Sequence, residues 1–296
     1  MAENFKIIEC PRDAWQGLPR PIPTEEKIAY LRALVSAGFR HLDAVSFVSP
    51  RHVPQMADSE IVLEALGVEL GGVEIIGIVV NEKGMERALS APGVSTLGYP
   101  LSVSPTFQRQ NSNQSLDEGR ALVRRLQEDT EAAARGLVIY LSMAFGNPYG
   151  DPYRVESVAE EAERLAQLGV RTVSLADTAG SATASEVGRL FESVLRRSGS
   201  MEVGLHLHSV PAQVEEKVRA AYAAGCRRLD CALTGMGGCP FAADQLVGNL
   251  PTERTLAALA QLGVRARPAR DALERSLALT KEIRHKYGQE KGKEKT

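Results

Sequence analysis

Strand-like and helix-like segments alternate along almost the whole of this 296-residue chain. Apolar runs rich in β-branched residues predict eight strands: Phe5–Cys10, His41–Val48, Val73–Val80, Val94–Val103, Leu137–Phe145, Thr172–Ala176, Val203–His208 and Arg228–Leu233. Amphipathic stretches between them predict helices: Thr24–Ala37, Ser59–Leu66, Glu82–Leu89, Leu116–Ala134, Val155–Leu168, Ala184–Arg197 and Pro211–Ala224. Such alternation indicates a parallel sheet with right-handed crossover connections.

The number of repeats favours the α/β class and a closed (β/α)8 TIM barrel. An open doubly wound sheet is the main alternative, but it usually has a glycine-rich phosphate loop after its first strand, and Cys10-Pro11-Arg12-Asp13 is not one. Two further helices are predicted over Thr252–Leu262 and Pro268–Lys286. We therefore expect one barrel domain over 1–287 with a C-terminal helical extension, and a disordered tail over 288–296.

Residues at the predicted helix ends support these boundaries. Thr24 is predicted to be an N-cap, with acidic residues in the turn that follows. Gly38, Gly169 and Gly225 fall just beyond predicted helices, where glycine commonly ends a helix.

Composition argues against several classes of protein. The formal net charge of −2 is not that of a nucleic-acid binder, and no apolar run is long enough to span a membrane. The chain enters a strand-like run near its N-terminus without the apolar segment of a signal peptide. Four cysteines are too few for a disulfide framework, and Cys10, Cys226 and Cys231 lie in or beside apolar runs typical of a core. We expect a reduced, cytoplasmic protein that binds neither nucleic acid nor membrane.

The segment Gly204-Leu205-His206-Leu207-His208 is the most informative motif for function. Residues i and i+2 of a strand point to the same face, so the two imidazoles would project together as half of a metal site. The alternative is that both are ordinary strand residues that hold hydrogen bonds.

Further polar residues fall where the predicted strands end, which in a barrel of this kind is the side that carries the active site. They are Arg12, Asp13, Asp43, Ser46, Asn111 in the loop after the fourth strand, Asp177 and Asn249. Asp177 is also a natural helix-capping residue, and that reading stays open. Asp13, His206 and His208 would present two imidazoles and one carboxylate to a divalent ion, with Asn249 as a further oxygen ligand. Mg²⁺ or Mn²⁺ is expected, and Zn²⁺ stays open.

The loop Gly235-Met236-Gly237-Gly238-Cys239-Pro240 combines three glycines with one cysteine. This composition suits a mobile lid that carries a reactive side chain. The alternative is a glycine-rich connector with an inert thiol.

Five motifs together resemble the 3-hydroxy-3-methylglutaryl-CoA lyase family, in the same order and over most of the chain. They are Pro11-Arg12-Asp13-Ala14-Trp15-Gln16, Ser46-Phe47-Val48-Ser49-Pro50 with Val53-Pro54-Gln55-Met56, Leu205-His206-Leu207-His208, Gly237-Gly238-Cys239-Pro240-Phe241-Ala242 and Gly248-Asn249-Leu250. The resemblance implies cleavage of 3-hydroxy-3-methylglutaryl-CoA or a close analogue to acetyl-CoA and acetoacetate, as in leucine degradation. It also implies an acyl-CoA thioester as substrate and suggests a homodimer.

The resemblance also implies roles for individual residues. Asp13, His206, His208 and Asn249 would hold the metal ion, and Arg12 would stabilise the thioester enolate. Cys239 would deliver a proton to the product carbanion, while Asp13 or Asp43 would act as the base. The remaining positions that match the family's site are Gln16, Ser46, Asn111 and Ser174 for substrate binding and Asp177 for catalysis.

Several positions depart from the family pattern. Trp15 is bulky and could change what fits beside Arg12, and Asp43 replaces a glutamate. Ser209 replaces an aspartate that would orient a metal ligand. The fifth strand ends in Ser142-Met143-Ala144-Phe145-Gly146-Asn147-Pro148 rather than a cysteine-containing motif. The alternatives are therefore a Claisen-type synthase or aldolase acting on another hydroxyacyl-CoA or 2-oxo acid, and a barrel without catalysis that binds or regulates.

Overall fold

The eight predicted strands form a closed parallel barrel in a computed structural model that describes residues 5–237 and 247–288. They are β1 (Lys6–Glu9), β2 (His41–Ser46), β3 (Glu74–Ile78), β4 (Thr96–Ser102), β5 (Gly136–Ser142), β6 (Thr172–Asp177), β7 (Glu202–Ser209) and β8 (Arg228–Cys231). Each strand pairs with the next, and β8 closes the ring by pairing in parallel with β1. The prediction of a (β/α)8 barrel is confirmed.

Helices surround this barrel. They are α1 (Pro11–Gln16), α2 (Thr24–Ala37), α3 (Ser59–Leu66), α4 (Glu82–Ser90), α5 (Pro105–Ser112), α6 (Leu116–Ala132), α7 (Val155–Gln167), α8 (Ala184–Leu195), α9 (Val214–Ala223), α10 (Thr252–Gln261) and α11 (Glu274–Tyr287). All of them except α1 and α5 lie where the sequence predicts a helix. The last two follow the eighth barrel strand, where the sequence predicts two further helices. No helix within the described ranges is long and apolar enough to cross a lipid bilayer.

The predictions for helix ends were mostly confirmed. Gly38, Gly169 and Gly225 have φ angles of 101°, 87° and 99°, the left-handed region that glycine adopts without steric cost. Thr24 is not an N-cap: it is the first residue of α2, and its hydroxyl donates to Asp58 at 2.8 Å. The N-cap prediction was wrong because a tertiary contact with the segment before α3 uses the side chain.

The inside of the barrel contains a small apolar cluster that supports the site above it. It consists of Ile8, Cys10, Ile76, Ile78, Val138 and Tyr140. Gly98 leaves space for this packing, since a Cβ there would lie 2.5 Å from Ile78 Cδ1. The outward-facing strand residues pack against the helices in the main core. Because interiors are packed as densely as organic crystals, this cluster gives the mouth of the barrel a rigid floor.

Besides α5, two short elements near the barrel mouth were not predicted from the sequence. One is α1, which begins at Pro11 directly after the first strand. The other is the strand β9 (Gly248–Asn249), which pairs antiparallel with the end of β7. Elements this short carry too few residues for a periodic pattern, yet both position residues of the candidate site.

Glu9 is a fully buried carboxyl group that joins β1 to the start of α10. It accepts hydrogen bonds from the Leu233 backbone N–H at 2.7 Å and from the Thr252 hydroxyl at 2.5 Å. Burial raises the pKa of Glu9 to about 8, although both hydrogen bonds oppose the shift. Between pH 4.5 and about 8, Glu9 is therefore protonated in the folded protein and ionised in the unfolded chain.

We predict that replacing Glu9 with glutamine flattens the pH dependence of stability. A carboxyl group that ionises near 4.5 when unfolded and near 8 when folded lowers the free energy of unfolding as pH rises between these values. Across this window the free energy of unfolding of the wild type should fall by on the order of a few kcal/mol relative to that of Glu9→Gln. Urea unfolding of both proteins from pH 4.5 to 8.5 measures the difference, and parallel stability curves would contradict the prediction.

Candidate active site

The residues after β1 turn into the barrel mouth because α1 starts there. Pro11 occupies the first turn of α1, where its missing N–H costs no hydrogen bond. Arg12 and Asp13 follow, with side chains only 9% and 14% exposed. The short helix thus holds a guanidinium and a carboxylate side by side at the C-terminal end of the strands.

Asp13, His206 and His208 form a compact cluster at this mouth. One ligand atom from each lies within 4.8 Å of the others, and the two imidazole rings are 5.2 Å apart. Neither ring nitrogen of the buried His208 makes a hydrogen bond of good geometry among the described residues, although the backbone of Asp177 and Thr178 lies close enough to act on the ring. Unpaired buried nitrogens cost about 1–3 kcal/mol each, and a bound cation would compensate one of them. Two imidazole nitrogens and a carboxylate fit a divalent first-row metal or Mg²⁺.

The ionisation of Asp13 and His208 also suits a cation. Burial would lower the pKa of His206, but Asp230 and Asp13 raise it. Burial would raise the pKa of Asp13, but Arg12 and the two histidines lower it to about 2. Burial and the neighbouring His206 lower the pKa of His208 to about 4. At neutral pH the site therefore presents a carboxylate anion and a neutral His208, the forms that bind metals.

Asn249 reaches the cluster through β9. In the register of β9 against β7, Asn249 lies opposite His208. Its Nδ2 donates to Asp13 Oδ2 at 2.9 Å and to the Met236 carbonyl at 3.0 Å. This leaves the amide oxygen as the atom available to a metal ion. Gly237, with φ of 84°, allows the close approach, since a Cβ there would lie 2.7 Å from Ala14 Cα.

Arg12 is fixed by a two-pronged ion pair with Asp43. Its Nε donates to Asp43 Oδ1 at 3.0 Å and its Nη2 to Oδ2, while Nη1 contacts Asp13 at 3.1 Å. Burial raises the pKa of the fully buried Asp43, and Arg12 opposes the shift. Both Asp43 oxygens are thus engaged, which suits a carboxylate that orients the guanidinium. The Asp43 side chain, shorter than the family's glutamate, still reaches Arg12.

Gln16 lies at the solvent side of the same group. It is exposed at the end of α1, where its Oε1 accepts from Arg12 at 3.0 Å and its Nε2 donates to Asp13 at 3.2 Å. This position places Gln16 at the entrance to the candidate site, as a substrate-binding residue requires.

Asp177 has a different environment from the metal cluster. Its two oxygens accept the backbone N–H groups of Ser181 and Ala182, each at 3.1 Å. The fully buried Lys217 lies 3.7 Å from the carboxylate and donates to the carbonyl of His208 at 2.9 Å. The helix-capping interpretation of Asp177 was wrong, since Thr183 is the N-cap of α8. Asp177 instead holds the loop before α8, and Lys217 ties the end of β7 to α9.

Of three other predicted site residues, two are buried and one is exposed. Ser174 is buried inside the barrel and donates to Asp230 at 3.0 Å. Ser46 is buried at the end of β2, where its hydroxyl accepts the N–H of Val48 at 3.3 Å. Asn111 lies on α5 rather than in a loop, so that placement was wrong; it is exposed and makes no hydrogen bond to the cluster among the described residues.

Of the cysteines, Cys10, Cys226 and Cys231 are buried free thiols, which confirms their assignment to the core. The proposed acid Cys239 lies in segment 238–246, outside the described residues.

Two departures from the family pattern have structural explanations. Trp15 is fully buried and packs edge-on against Tyr30 at 5.3 Å, so it lies in the core between α1 and α2. The expectation that Trp15 shapes the space beside Arg12 was wrong, because α1 turns its indole away from the mouth. The Ser209 hydroxyl donates to the Val210 carbonyl at 2.9 Å, so it orients no histidine ring.

Sequence reasoning missed Lys217 and Asp230, which contact the histidine strand from neighbouring elements. Lys217 reads as a surface residue of an amphipathic helix, and the sequence gives no signal that it is buried. Asp230 is an acidic residue inside an apolar strand run, which is unusual enough to have indicated an inward-facing functional group.

A (β/α)8 barrel with two histidines, a carboxylate and a fixed guanidinium at its C-terminal mouth defines a class of barrel enzymes with a candidate metal centre. The HMGL-like family model matches residues 4–279, and the chain belongs to the HMGL-like family. The predicted family resemblance is thereby confirmed, and with it the assignment as a lyase.

Relatives and solved structures agree over most of the chain. The hydroxymethylglutaryl-CoA lyase of Pseudomonas mevalonii is 35% identical over 265 residues, covering 88% of this chain and 86% of that protein. The Bacillus subtilis hydroxymethylglutaryl-CoA lyase is 31% identical over 278 residues, covering 94% and 91%. The crystal structure of the Pseudomonas aeruginosa enzyme superposes with a TM-score of 0.89 at 29% identity, covering 98% of this chain and 96% of that one.

We predict that Asp177→Ala mainly destabilises the protein. It would leave the buried Lys217 ammonium without its carboxylate, a change that typically costs about 3–5 kcal/mol. Glu163→Ala, which breaks an exposed pair with Arg197, is the control and should cost less than about 1 kcal/mol. Urea unfolding measures both. Wild-type stability of Asp177→Ala together with a lowered kcat would instead establish a catalytic role.

Proposed function

We propose that this protein cleaves 3-hydroxy-3-methylglutaryl-CoA, or a close analogue, to acetyl-CoA and acetoacetate with a divalent cation, Mg²⁺ or Mn²⁺. The observation that carries the proposal is the Asp13–His206–His208 cluster beside the fixed guanidinium of Arg12. Membership of the HMGL-like family supports it. So does an HMG-CoA lyase from Acinetobacter baumannii solved with coenzyme A and 3-methylmalate, with a TM-score of 0.86, 29% identity and coverage of 96% of this chain and 91% of that one.

The reaction breaks one carbon–carbon bond. The tertiary hydroxyl loses its proton, its carbon becomes the ketone of acetoacetate, and the electron pair of the broken bond passes to the thioester as an enolate. Protonation of the enolate carbon then gives acetyl-CoA. The site must therefore accept one proton, stabilise an enolate and return one proton.

Asp13, His206, His208 and the amide oxygen of Asn249 would hold the cation. When bound, it would lower the pKa of the substrate hydroxyl and fix the hydroxyl and carboxylate. The hydroxyl proton passes to a carboxylate at the mouth. Both oxygens of Asp43 are bonded to Arg12, and both oxygens of Asp13 also accept hydrogen bonds. We therefore keep both suggested bases, Asp13 and Asp43.

Arg12 would stabilise the enolate. Burial opposes its charge, but Asp43 and Asp13 raise the pKa of Arg12, so the guanidinium stays cationic. A cation held in place before reaction stabilises developing negative charge without reorganisation. Gln16 at the entrance would contact the acyl-CoA, and Cys239 would return the proton to the enolate carbon.

The family resemblance also supports a cytoplasmic homodimer that serves leucine degradation. Light scattering on a gel-filtration column tests the dimer, since a monomeric mass would contradict it.

Acetoacetate release from 3-hydroxy-3-methylglutaryl-CoA is the direct test of the proposed reaction. We expect turnover with Mg²⁺ or Mn²⁺, its loss with EDTA and its return when the metal is restored. Folded protein that binds metal but releases no acetoacetate would overturn the proposed substrate. A panel of hydroxyacyl-CoA thioesters and 2-oxo acids would then identify the alternative reaction.

We predict that Arg12→Lys lowers kcat by roughly 100-fold or more, in the range seen when one preorganised donor is lost. Lysine keeps the charge but cannot make the two-pronged pair with Asp43. Arg32→Lys is the matched control, because Arg32 makes a similar pair with Glu69 on the exposed surface. Steady-state kinetics of both variants measure the effect. Unchanged kcat in Arg12→Lys would contradict the assigned role.

A further inference from the structure

Asp230 lies directly beside the first histidine of the candidate metal site. In the parallel register of β7 and β8, His206 and Asp230 are Cα partners, and both side chains point into the barrel. His206 Nδ1 lies 3.3 Å from Asp230 Oδ2, a close contact whose orientation falls short of hydrogen-bond geometry, and it has no hydrogen-bond partner among the described residues. The opposite ring nitrogen, Nε2, is left to face a metal ion.

The Asp230 carboxylate is held from a third strand. The hydroxyl of Ser174 on β6 donates to Asp230 Oδ2 at 3.0 Å. Asp230 is only 1% exposed, and its Oδ1 has no hydrogen-bond partner among the described residues. The buried Arg228 on the same strand attracts the Asp230 carboxylate electrostatically. With one hydrogen bond, the buried carboxylate still costs free energy of folding, which points to a role besides stability.

The His206 ring is also confined from the side. Tyr140 packs edge-on against it, with ring centroids 5.9 Å apart and planes at 85°. His208 has no carboxylate behind its ring: the groups that act on it are the backbone of Asp177 and Thr178, and the Ser209 hydroxyl bonds to the backbone. The two histidines therefore differ in how their rings are held.

We propose that Asp230 is a positioning residue for the metal centre. It accepts a hydrogen bond from Nδ1–H of His206, which fixes the tautomer whose Nε2 lone pair faces the cation. Ser174, assigned to substrate binding from the sequence, acts by orienting the Asp230 carboxylate. Carboxylates behind metal-binding histidines raise metal affinity in this way. The effect on metal affinity rests on the proposed metal site, whereas the tautomer and orientation of the His206 ring are properties of the metal-free protein.

Mn²⁺ affinity, measured by electron paramagnetic resonance of the free ion, tests the effect on the metal site. Asp230→Ala should weaken binding by about 10- to 100-fold. Asp230→Asn, which keeps the shape and an acceptor oxygen but loses the charge, should show a smaller loss. Glu9→Gln is the matched control, since Glu9 is an equally buried strand-end carboxyl group that faces the helices and should leave affinity unchanged. Wild-type affinity in both Asp230 variants would overturn the proposal.

Nitrogen-15 NMR of histidine-labelled, metal-free protein tests the positioning itself, recorded at alkaline pH where the imidazoles are neutral. His206 should be an Nδ1–H tautomer in the wild type and shift towards Nε2–H in Asp230→Ala, while His208 keeps its signal as an internal control. An unchanged His206 tautomer would overturn the proposal even if Mn²⁺ binding falls. Failure of the wild type to bind Mn²⁺ would reject the metal site, and the tautomer would still decide the role of Asp230.

Discussion

Closure of the barrel between β8 and β1 is the constraint on which the site depends. The parallel pairing of Lys6–Glu9 with Arg228–Cys231 brings the beginning of the chain against its last barrel strands. Asp13 thereby meets His206 and His208, which lie on the neighbouring β7. An open sheet would leave these residues at opposite edges. The candidate metal site therefore depends on the topology of the barrel as much as on the types of its residues.

The charged groups at the mouth stabilise one another in a fixed arrangement. Arg12 lies between Asp43 and Asp13, and Asn249 bonds to the far oxygen of Asp13. Burying such a network costs free energy. In return, it can hold charged groups at the place where negative charge develops during a reaction. The apolar cluster inside the barrel and the buried Lys217 beside His208 keep this arrangement from relaxing. At this end of the fold the buried charges cost free energy of folding, and their contacts orient the side chains of the candidate site.

Trp15 and Asp177 show that a functional interpretation depends on the direction of the side chain. Trp15 and Arg12 lie one helical turn apart in α1, yet Arg12 faces the mouth and Trp15 faces Tyr30. The sequence could not settle this, because the helix is too short to show an amphipathic pattern and was not predicted. With the indole in the core, Trp15 gives no support for a different substrate. Asp177 ends β6 at the same rim of the barrel, and its oxygens accept backbone N–H groups of the loop that follows.

The sequence by itself determined the class of fold, the order of its main elements and the identity of the principal metal-binding candidates. Periodicity encodes strand and helix, and a parallel barrel puts every strand end on one rim. Only the tertiary structure decided that Asp43 is bonded to Arg12 through both oxygens, that Asn249 arrives on a two-residue strand, and that Asp230 stands behind His206. These contacts depend on register between strands distant in sequence and on the direction of each side chain, which local patterns do not encode.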